Sequence, residues 1–126
     1  VEDNANVREV ACEMLISAGY DVISADNGPA GLQLFQENPD VDLVFSDVIM
    51  PGGMTGIDMA EEILKIRPKK PILLTTGYTE KVLKDRILEF KNIVCVAKPY
   101  DTNELPKYVH SMMQKRFLDT DPVTFD

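Results

Sequence analysis

Basic residues are scarce in this sequence. Lysine and arginine together number 13 against 21 aspartates and glutamates, which gives a net charge of −8 and a pI near 4.6. Nucleic acids and anionic membranes bind basic surfaces, so neither is expected as a direct partner. Long apolar runs are absent as well: no segment reaches the length of a membrane span, and none resembles a secretory signal.

Cysteine and histidine are almost missing. Cys12 and Cys95 are far apart, fit no metal-ligand spacing and lie in apolar stretches. We therefore expect two reduced, buried thiols in a cytoplasmic protein. His110, the single histidine, is off the apolar stripe of its predicted helix, so we expect it to face solvent.

Hydrophobic periodicity predicts an alternation of helices and strands. The first helical stripe consists of Val7, Val10, Ala11, Met14, Leu15 and Ala18, and Gly19 ends that helix. Further helices are predicted over about 29–37, 57–66 and 79–90, and from Asp101 onward, where Asp101 and Glu104 form a capping-box pattern. Short strands are predicted over 20–25, 41–46, 71–76 and 93–97.

This alternation predicts an α/β fold. The strands "PILLTT" and "IVCVA" are almost continuously apolar, as strands buried on both faces are. A doubly wound parallel sheet with helices on both faces follows. We expect one domain over residues 1–116 and a tail over 117–126, with no second domain or repeat.

Polar side chains collect where the predicted strands end. These strand-end residues are Glu2, Asp3, Asp47, Thr76 and Lys98. The carboxyl ends of parallel strands share one edge of the sheet, where such folds bind ligands. Three carboxylates there would repel one another without a cation, and Mg²⁺ accepts one or two carboxylates together with a phosphate. A lysine would neutralise phosphoryl oxygens, and a carboxylate in line with phosphorus can act as a nucleophile. The set predicts Mg²⁺-assisted phosphoryl transfer to an aspartate.

Four segments at these strand ends carry a family resemblance. "VEDN" (1–4), "SDVIMPGGMTG" (46–56), "LTTGY" (74–78) and "AKPY" (97–100) resemble, in order and spacing, the signatures of the response-regulator receiver domain. The amino-acid sequence around Asp47 is most similar to that of receivers in hybrid sensor histidine kinases. The resemblance covers residues 1 to about 115 and implies a flavodoxin-like, five-stranded sheet of order 2-1-3-4-5.

The resemblance also implies roles for single residues. Asp47 would be the phosphoacceptor, and Asp3, Glu2 and the backbone carbonyl of Ile49 would join it in holding Mg²⁺. Thr76 would supply a hydroxyl to the phosphoryl group, and Lys98 would form a salt bridge with the phosphoryl group. The implied partners are a histidine kinase or a histidine-containing phosphotransfer domain, with a homodimer left open. The domain would catalyse its own phosphorylation and dephosphorylation without being a free-standing enzyme.

Two departures from the family pattern stand out. Cys95 occupies the place where the family usually carries a bulky aromatic switch residue, three before the lysine. The chain begins at Val1, so almost all of the first strand, which would be the middle strand of the sheet, is absent. Either residues that existed are missing from the chain, or another segment, such as "PVTF" (122–125), fills the place.

Two other functions compete with this interpretation. A haloacid-dehalogenase-type phosphatase also uses an aspartate at a strand end, but it needs a second aspartate where Ile49 stands. A degenerate receiver that only binds partners would have lost the acids or the lysine, and all of them are present. We therefore predict a phosphorylatable receiver.

Overall fold

The fold is described by a computed structural model that covers residues 1–50, 52–76, 92–97 and 101–118, without the side chains of 102 and 115–118. In chain order the elements are α1 (Ala5–Ser17), α2 (Gly28–Glu37), β1 (Val44–Asp47), α3 (Gly56–Ile66), β2 (Ile72–Thr76), β3 (Ile93–Ala97), a 3₁₀ turn (Thr102–Glu104) and α4 (Leu105–Leu118). The predicted helix over 79–90, the Lys98-Pro99 pair and most of the predicted tail lie outside these residues.

The three strands form a parallel sheet in the order β1-β2-β3. β2 is the middle strand of the three, and all five of its residues are buried. Leu74 belongs to an apolar cluster with α2 and α3, whereas Leu73 belongs to one with α1 and α4. Helices therefore cover both faces of the sheet, which is why β2 is continuously apolar.

The predicted strand over 20–25 is not assigned as a strand. Its neighbour in the expected five-stranded sheet is the first strand, and only Val1 and Glu2 stand at that position. The N–H of Glu2 donates to the carbonyl of Ala25, and the N–H of Asp47 donates to the carbonyl of Val1, both at 3.1 Å. A ladder needs a paired backbone along its length, and these two residues provide only one end of it.

A cavity of about 590 Å³ lies beside Val1, between the 20–25 segment and β1. Its apolar lining includes Leu15, Val22, Phe35 and Phe45. These residues come from α1, α2, β1 and the 20–25 segment, so the cavity occupies the layer in which the first strand was expected.

The buried stripe of α1 is narrower than predicted. Ala11 and Leu15 are buried, but Val7 and Val10 are exposed to 39% and 42%. Ala11 and Leu15 belong to the apolar cluster that contains Leu73 of β2 and Val109 and Met112 of α4, and Val7 and Val10 are outside it. The cysteine prediction was also partly wrong: neither Cys12 nor Cys95 forms a disulfide, but both are half-buried rather than buried.

The predicted features of the last helix are confirmed in part. The Asp101 carboxylate accepts from the N–H of Asn103 at 2.9 Å, so Asp101 caps the 3₁₀ turn that leads into α4. Glu104 forms an ion pair with Lys107 at 3.2 Å, instead of the reciprocal capping bond that the pattern suggested. His110 is exposed, as expected. Within the described residues, no helix combines the length and the apolar character needed to cross a membrane.

Residues Thr55 and Asp58 form a capping box at the start of α3. The Thr55 hydroxyl accepts from the N–H of Asp58 at 3.1 Å, and the Asp58 carboxylate accepts from the N–H of Thr55 at 3.0 Å. Two N–H groups at the helix start are thereby satisfied. This box fixes the point at which the chain leaves the loop after Asp47.

Thr55→Ala is expected to lower the free energy of unfolding by about 1 kcal/mol, because it removes one of these two hydrogen bonds. Urea denaturation of the parent and the variant measures the difference. Thr55→Ser keeps the hydroxyl and serves as the matched control, with a smaller loss. Equal stability of Thr55→Ala and the parent would show that the box does not contribute.

Candidate functional site

Asp47 is the last residue of β1 and marks the carboxyl edge of the sheet. Only 8% of it is exposed. Its neighbour across the ladder is Thr75, and Val48 continues the pairing by donating its N–H to the Thr75 carbonyl at 2.9 Å. The acceptor predicted from sequence therefore lies on a rigid strand end and not on a free loop.

The structure brings Glu2, Asp3 and Asp47 together. One carboxylate oxygen from each of the three residues lies within 4.8 Å of the other two. Glu2 is half-buried and Asp3 is exposed, so the group opens toward solvent on one side. Three hard oxygen donors at this spacing fit a divalent cation that keeps water ligands, of which Mg²⁺ is the usual example.

The segment that carries Glu2 and Asp3 is held in place by α1. Asn4 caps α1 by accepting from the N–H of Val7 at 3.0 Å, and its own N–H donates to the Glu2 carboxylate at 3.3 Å. The Arg8 guanidinium donates to the backbone carbonyl of Glu2 at 2.8 Å. The sequence analysis predicted none of these three contacts, although an asparagine just before a helical stripe is a typical cap.

The backbone nitrogen of Val1 lies beside this acidic group and donates to the carbonyl of Phe45 at 2.5 Å. This contact ties the segment that carries Glu2 and Asp3 to β1.

The remaining predicted site residues are placed less completely. Thr76 is the last residue of β2, and only 6% of it is exposed. It pairs with Ala97, the residue before Lys98. Lys98 itself lies outside the described residues. Ile49 is 49% exposed, and its N–H reaches the Asp47 carboxylate at 3.4 Å, a long hydrogen bond. Thr76 and Asp47 therefore stand on adjacent strand ends, as the sequence predicted.

Comparison with known families decides the classification. The sequence profile of the response regulator receiver domain matches residues 1–110. The chain belongs to this family. Its fold is accordingly the doubly wound, flavodoxin-like fold of receiver domains, as predicted.

Individual relatives agree with this classification. The sensor kinase CckA of Brucella abortus is 31% identical over 117 residues, a match that covers 92% of this chain and 12% of the kinase. The structure of the receiver domain of the hybrid histidine kinase CckA is 30% identical, with a TM-score of 0.74, and the match covers 90% of this chain and 94% of that one. The response regulator TrrA of Thermotoga maritima, solved in complex with Mg²⁺-BeF, is 31% identical with a TM-score of 0.76 over 88% and 93% of the two chains.

The sequence around Asp47 predicted a resemblance to receivers of hybrid kinases. The matches to CckA confirm it. The chain spans less than half the length of the first curated relatives that it matches. What those longer proteins do as a whole is therefore a separate question from what this domain does.

Proposed function

We propose that this domain accepts a phosphoryl group on Asp47 from a phosphohistidine donor, in a two-component or phosphorelay system. The proposal rests on one observation: the carboxylates of Asp47, Glu2 and Asp3 lie close together at the carboxyl edge of the sheet. Membership of the receiver family supports it, since receivers act in two-component systems.

In the proposed transfer, a carboxylate oxygen of Asp47 attacks phosphorus and forms an acyl phosphate. The bond from phosphorus to the donor nitrogen breaks, and the electron pair of that bond stays with the imidazole nitrogen of the donor. Thr76 would donate its hydroxyl to a phosphoryl oxygen, and Lys98 would neutralise another. The protein's part is mainly to position these groups and balance their charge.

Glu2, Asp3, Asp47 and the carbonyl of Ile49 would hold a Mg²⁺ ion in this proposal. Bound there, the ion neutralises charge on the phosphoryl oxygens. The donor set fits, because the three acids supply hard oxygen atoms close together with one side open to solvent. The complex of the relative TrrA with Mg²⁺-BeF supports the choice of metal.

The proposed partners are a histidine kinase or a histidine-containing phosphotransfer domain. The similarity to the sensor kinase CckA supports this choice, and it also supports a hybrid kinase as the parent protein. Nucleic acid is not proposed as a partner, since the chain carries a net charge of −8. The cytoplasmic location stays a prediction from the sequence. A homodimer also stays a possibility that the resemblance raises.

The test is to incubate the chain with acetyl phosphate, with and without Mg²⁺, and to measure the intact mass. We expect a gain of one phosphoryl group that depends on Mg²⁺ and maps to the peptide containing Asp47. A chain that gains no mass under these conditions, while remaining folded and binding Mg²⁺, would contradict the proposal and favour a receiver that only binds partners.

Mg²⁺ is expected to stabilise the domain, because it relieves repulsion among the three carboxylates. At ten times its dissociation constant it should raise the free energy of unfolding by about 1.4 kcal/mol. Thermal unfolding with increasing Mg²⁺ measures the effect. Asp3→Ala should remove most of this response without unfolding the chain, since Asp3 is exposed.

The matched control is Asp26→Ala. Asp26 is exposed and lines the same open pocket as Asp3, but it is outside the group of three carboxylates. Its loss should leave the Mg²⁺ response unchanged. Two results would argue against this site. One is a parent chain whose melting temperature does not change with millimolar Mg²⁺. The other is an equal loss of the Mg²⁺ response in Asp3→Ala and Asp26→Ala.

A further inference from the structure

Ser46 carries a buried hydroxyl beside the proposed acceptor, a group that the mechanism above does not use. Only 1% of this residue is exposed, and its strand neighbour on the same face, Val44, is part of an apolar cluster. A hydroxyl in such surroundings is costly unless it is hydrogen-bonded. Its oxygen lies 2.8 Å from the backbone carbonyl oxygen of Asp47 and 3.8 Å from the sulfur of Met50. A hydroxyl has one hydrogen, and the carbonyl is the stronger acceptor.

Gly56, the first residue of α3, packs against the same carbonyl. A Cβ atom added at Gly56 would lie 2.1 Å from the Asp47 carbonyl oxygen and 3.0 Å from both its carbon and the Cα of Val48. All three atoms are backbone, so no side chain can turn away to make room. The absence of a side chain at Gly56 is therefore required for the position of the Asp47 carbonyl.

Contacts at both ends hold the peptide group that follows Asp47. Its oxygen accepts from the Ser46 hydroxyl and packs on Gly56, while its N–H, that of Val48, donates to the Thr75 carbonyl at 2.9 Å. The plane of this peptide is thus fixed, and with it the direction in which Asp47 leaves the strand.

The next peptide group is held by Gly56 as well. The N–H of Gly56 donates to the Val48 carbonyl at 2.7 Å. The N–H of the same peptide, that of Ile49, is the one that reaches the Asp47 carboxylate at 3.4 Å. Gly56 therefore supports both of the peptide groups that follow the acceptor, one through close packing and one through a hydrogen bond.

We propose that Ser46 and Gly56 are positioning residues for phosphoryl transfer, and that they act together by fixing the backbone carbonyl of Asp47 and the peptide that contacts its carboxylate. The inference rests on the proposed function of Asp47. Transfer requires a carboxylate oxygen in line with phosphorus, and a displacement of about 1 Å from such a geometry can cost on the order of a hundredfold in rate.

The test measures the maximal rate of phosphoryl uptake from acetyl phosphate at saturating Mg²⁺, and the acetyl phosphate concentration that gives half that rate. Ser46→Ala is expected to lower the maximal rate about five- to tenfold, with little change in the half-saturating concentration. A loss of positioning affects the reaction step and not the encounter with the donor. Ser46→Thr keeps the hydroxyl and should recover most of the rate.

Gly56→Ala is expected to lower the maximal rate more than tenfold, because the added methyl group pushes on backbone. Gly28→Ala is the matched glycine control. Its three nearest atoms would all belong to the side chain of Met54 (Cγ at 2.8 Å, Sδ at 2.9 Å and Cβ at 3.0 Å), so this substitution crowds a side chain, whereas Gly56→Ala crowds the backbone of the acceptor. We expect Gly28→Ala to keep a rate close to that of the parent. If Gly56→Ala does not fold, the two Ser46 variants alone decide.

The outcomes separate the two proposals. A parent chain that never takes up a phosphoryl group contradicts the proposed function itself. A parent that is phosphorylated while Ser46→Ala reacts at the same maximal rate, whatever its melting temperature, overturns the positioning role only. The same holds if Ser46→Thr is as slow as Ser46→Ala, because the hydroxyl would then not be the cause.

Discussion

Asp47→Asn is expected to abolish the gain of a phosphoryl group from acetyl phosphate. The amide has the shape of the carboxylate, but it is neutral and cannot form a stable acyl phosphate through its oxygen. Asp47 ends a strand that is paired on one side with β2 and bonded on the other to Val1, so a neutral side chain of equal size should leave the fold intact. Intact mass after incubation with Mg²⁺ and acetyl phosphate measures the loss.

The control for Asp47→Asn is Asp26→Asn, which makes the same chemical change at an exposed carboxylate near Asp3. Its phosphorylation should equal that of the parent. Circular dichroism of each variant should show that both remain folded. Full phosphorylation of Asp47→Asn would place the acceptor on another residue and would contradict the assignment of Asp47.

Leu73→Ala is expected to lower the free energy of unfolding by about 2–5 kcal/mol, the usual cost of truncating a fully buried leucine. Leu73 has no exposed surface and lies in β2, the middle of the three strands, paired with Phe45 on one side and Val94 on the other. Removal of its side chain leaves a cavity beneath α1 and α4 that neighbouring strands cannot close, because their backbones are fixed by the ladder. Urea denaturation measures the change.

Ile16→Ala is the control for this core substitution. Ile16 is on α1 and is 58% exposed, so its truncation should change the stability by no more than about 0.5 kcal/mol. Nearly equal costs for Leu73→Ala and Ile16→Ala would mean that the layer of α1 and α4 does not pack on the sheet as described.

The sequence predicted the strands that are buried on both faces most accurately. The pattern gave 93–97 for β3, as found, and 71–76 for β2, which begins one residue later. Burial on both faces demands an unbroken apolar run, and such a run has clear ends. The segment over 20–25 shows the limit of this signal. Its residues favour a strand, but a strand also requires a paired neighbour, and a local pattern contains no information about that neighbour.

Helix faces were less predictable than strand bounds. Spacing placed Val7 and Val10 on an inward stripe of α1, yet both are exposed. Periodicity identifies a face of a helix, but the width of the buried part depends on which elements pack against it. Cys12, on the same helix, is likewise half-buried and not buried.

For the candidate site, the predicted order of strands and helices was sufficient to predict that the three carboxylates lie close together. Asp47 ends β1, and Glu2 and Asp3 follow the predicted first strand. Parallel strands place their carboxyl ends at one edge, so the approach of the three carboxylates to within 4.8 Å followed from the predicted topology. Only the tertiary structure decided the backbone around Asp47. Ser46 and Gly56 are ten positions apart, and nothing in their spacing shows that they touch one carbonyl oxygen. That contact depends on the whole path of the loop between β1 and α3: the capping box of Thr55 and Asp58 sets where the loop ends, but packing and hydrogen bonds to the sheet decide how close Gly56 comes to Asp47.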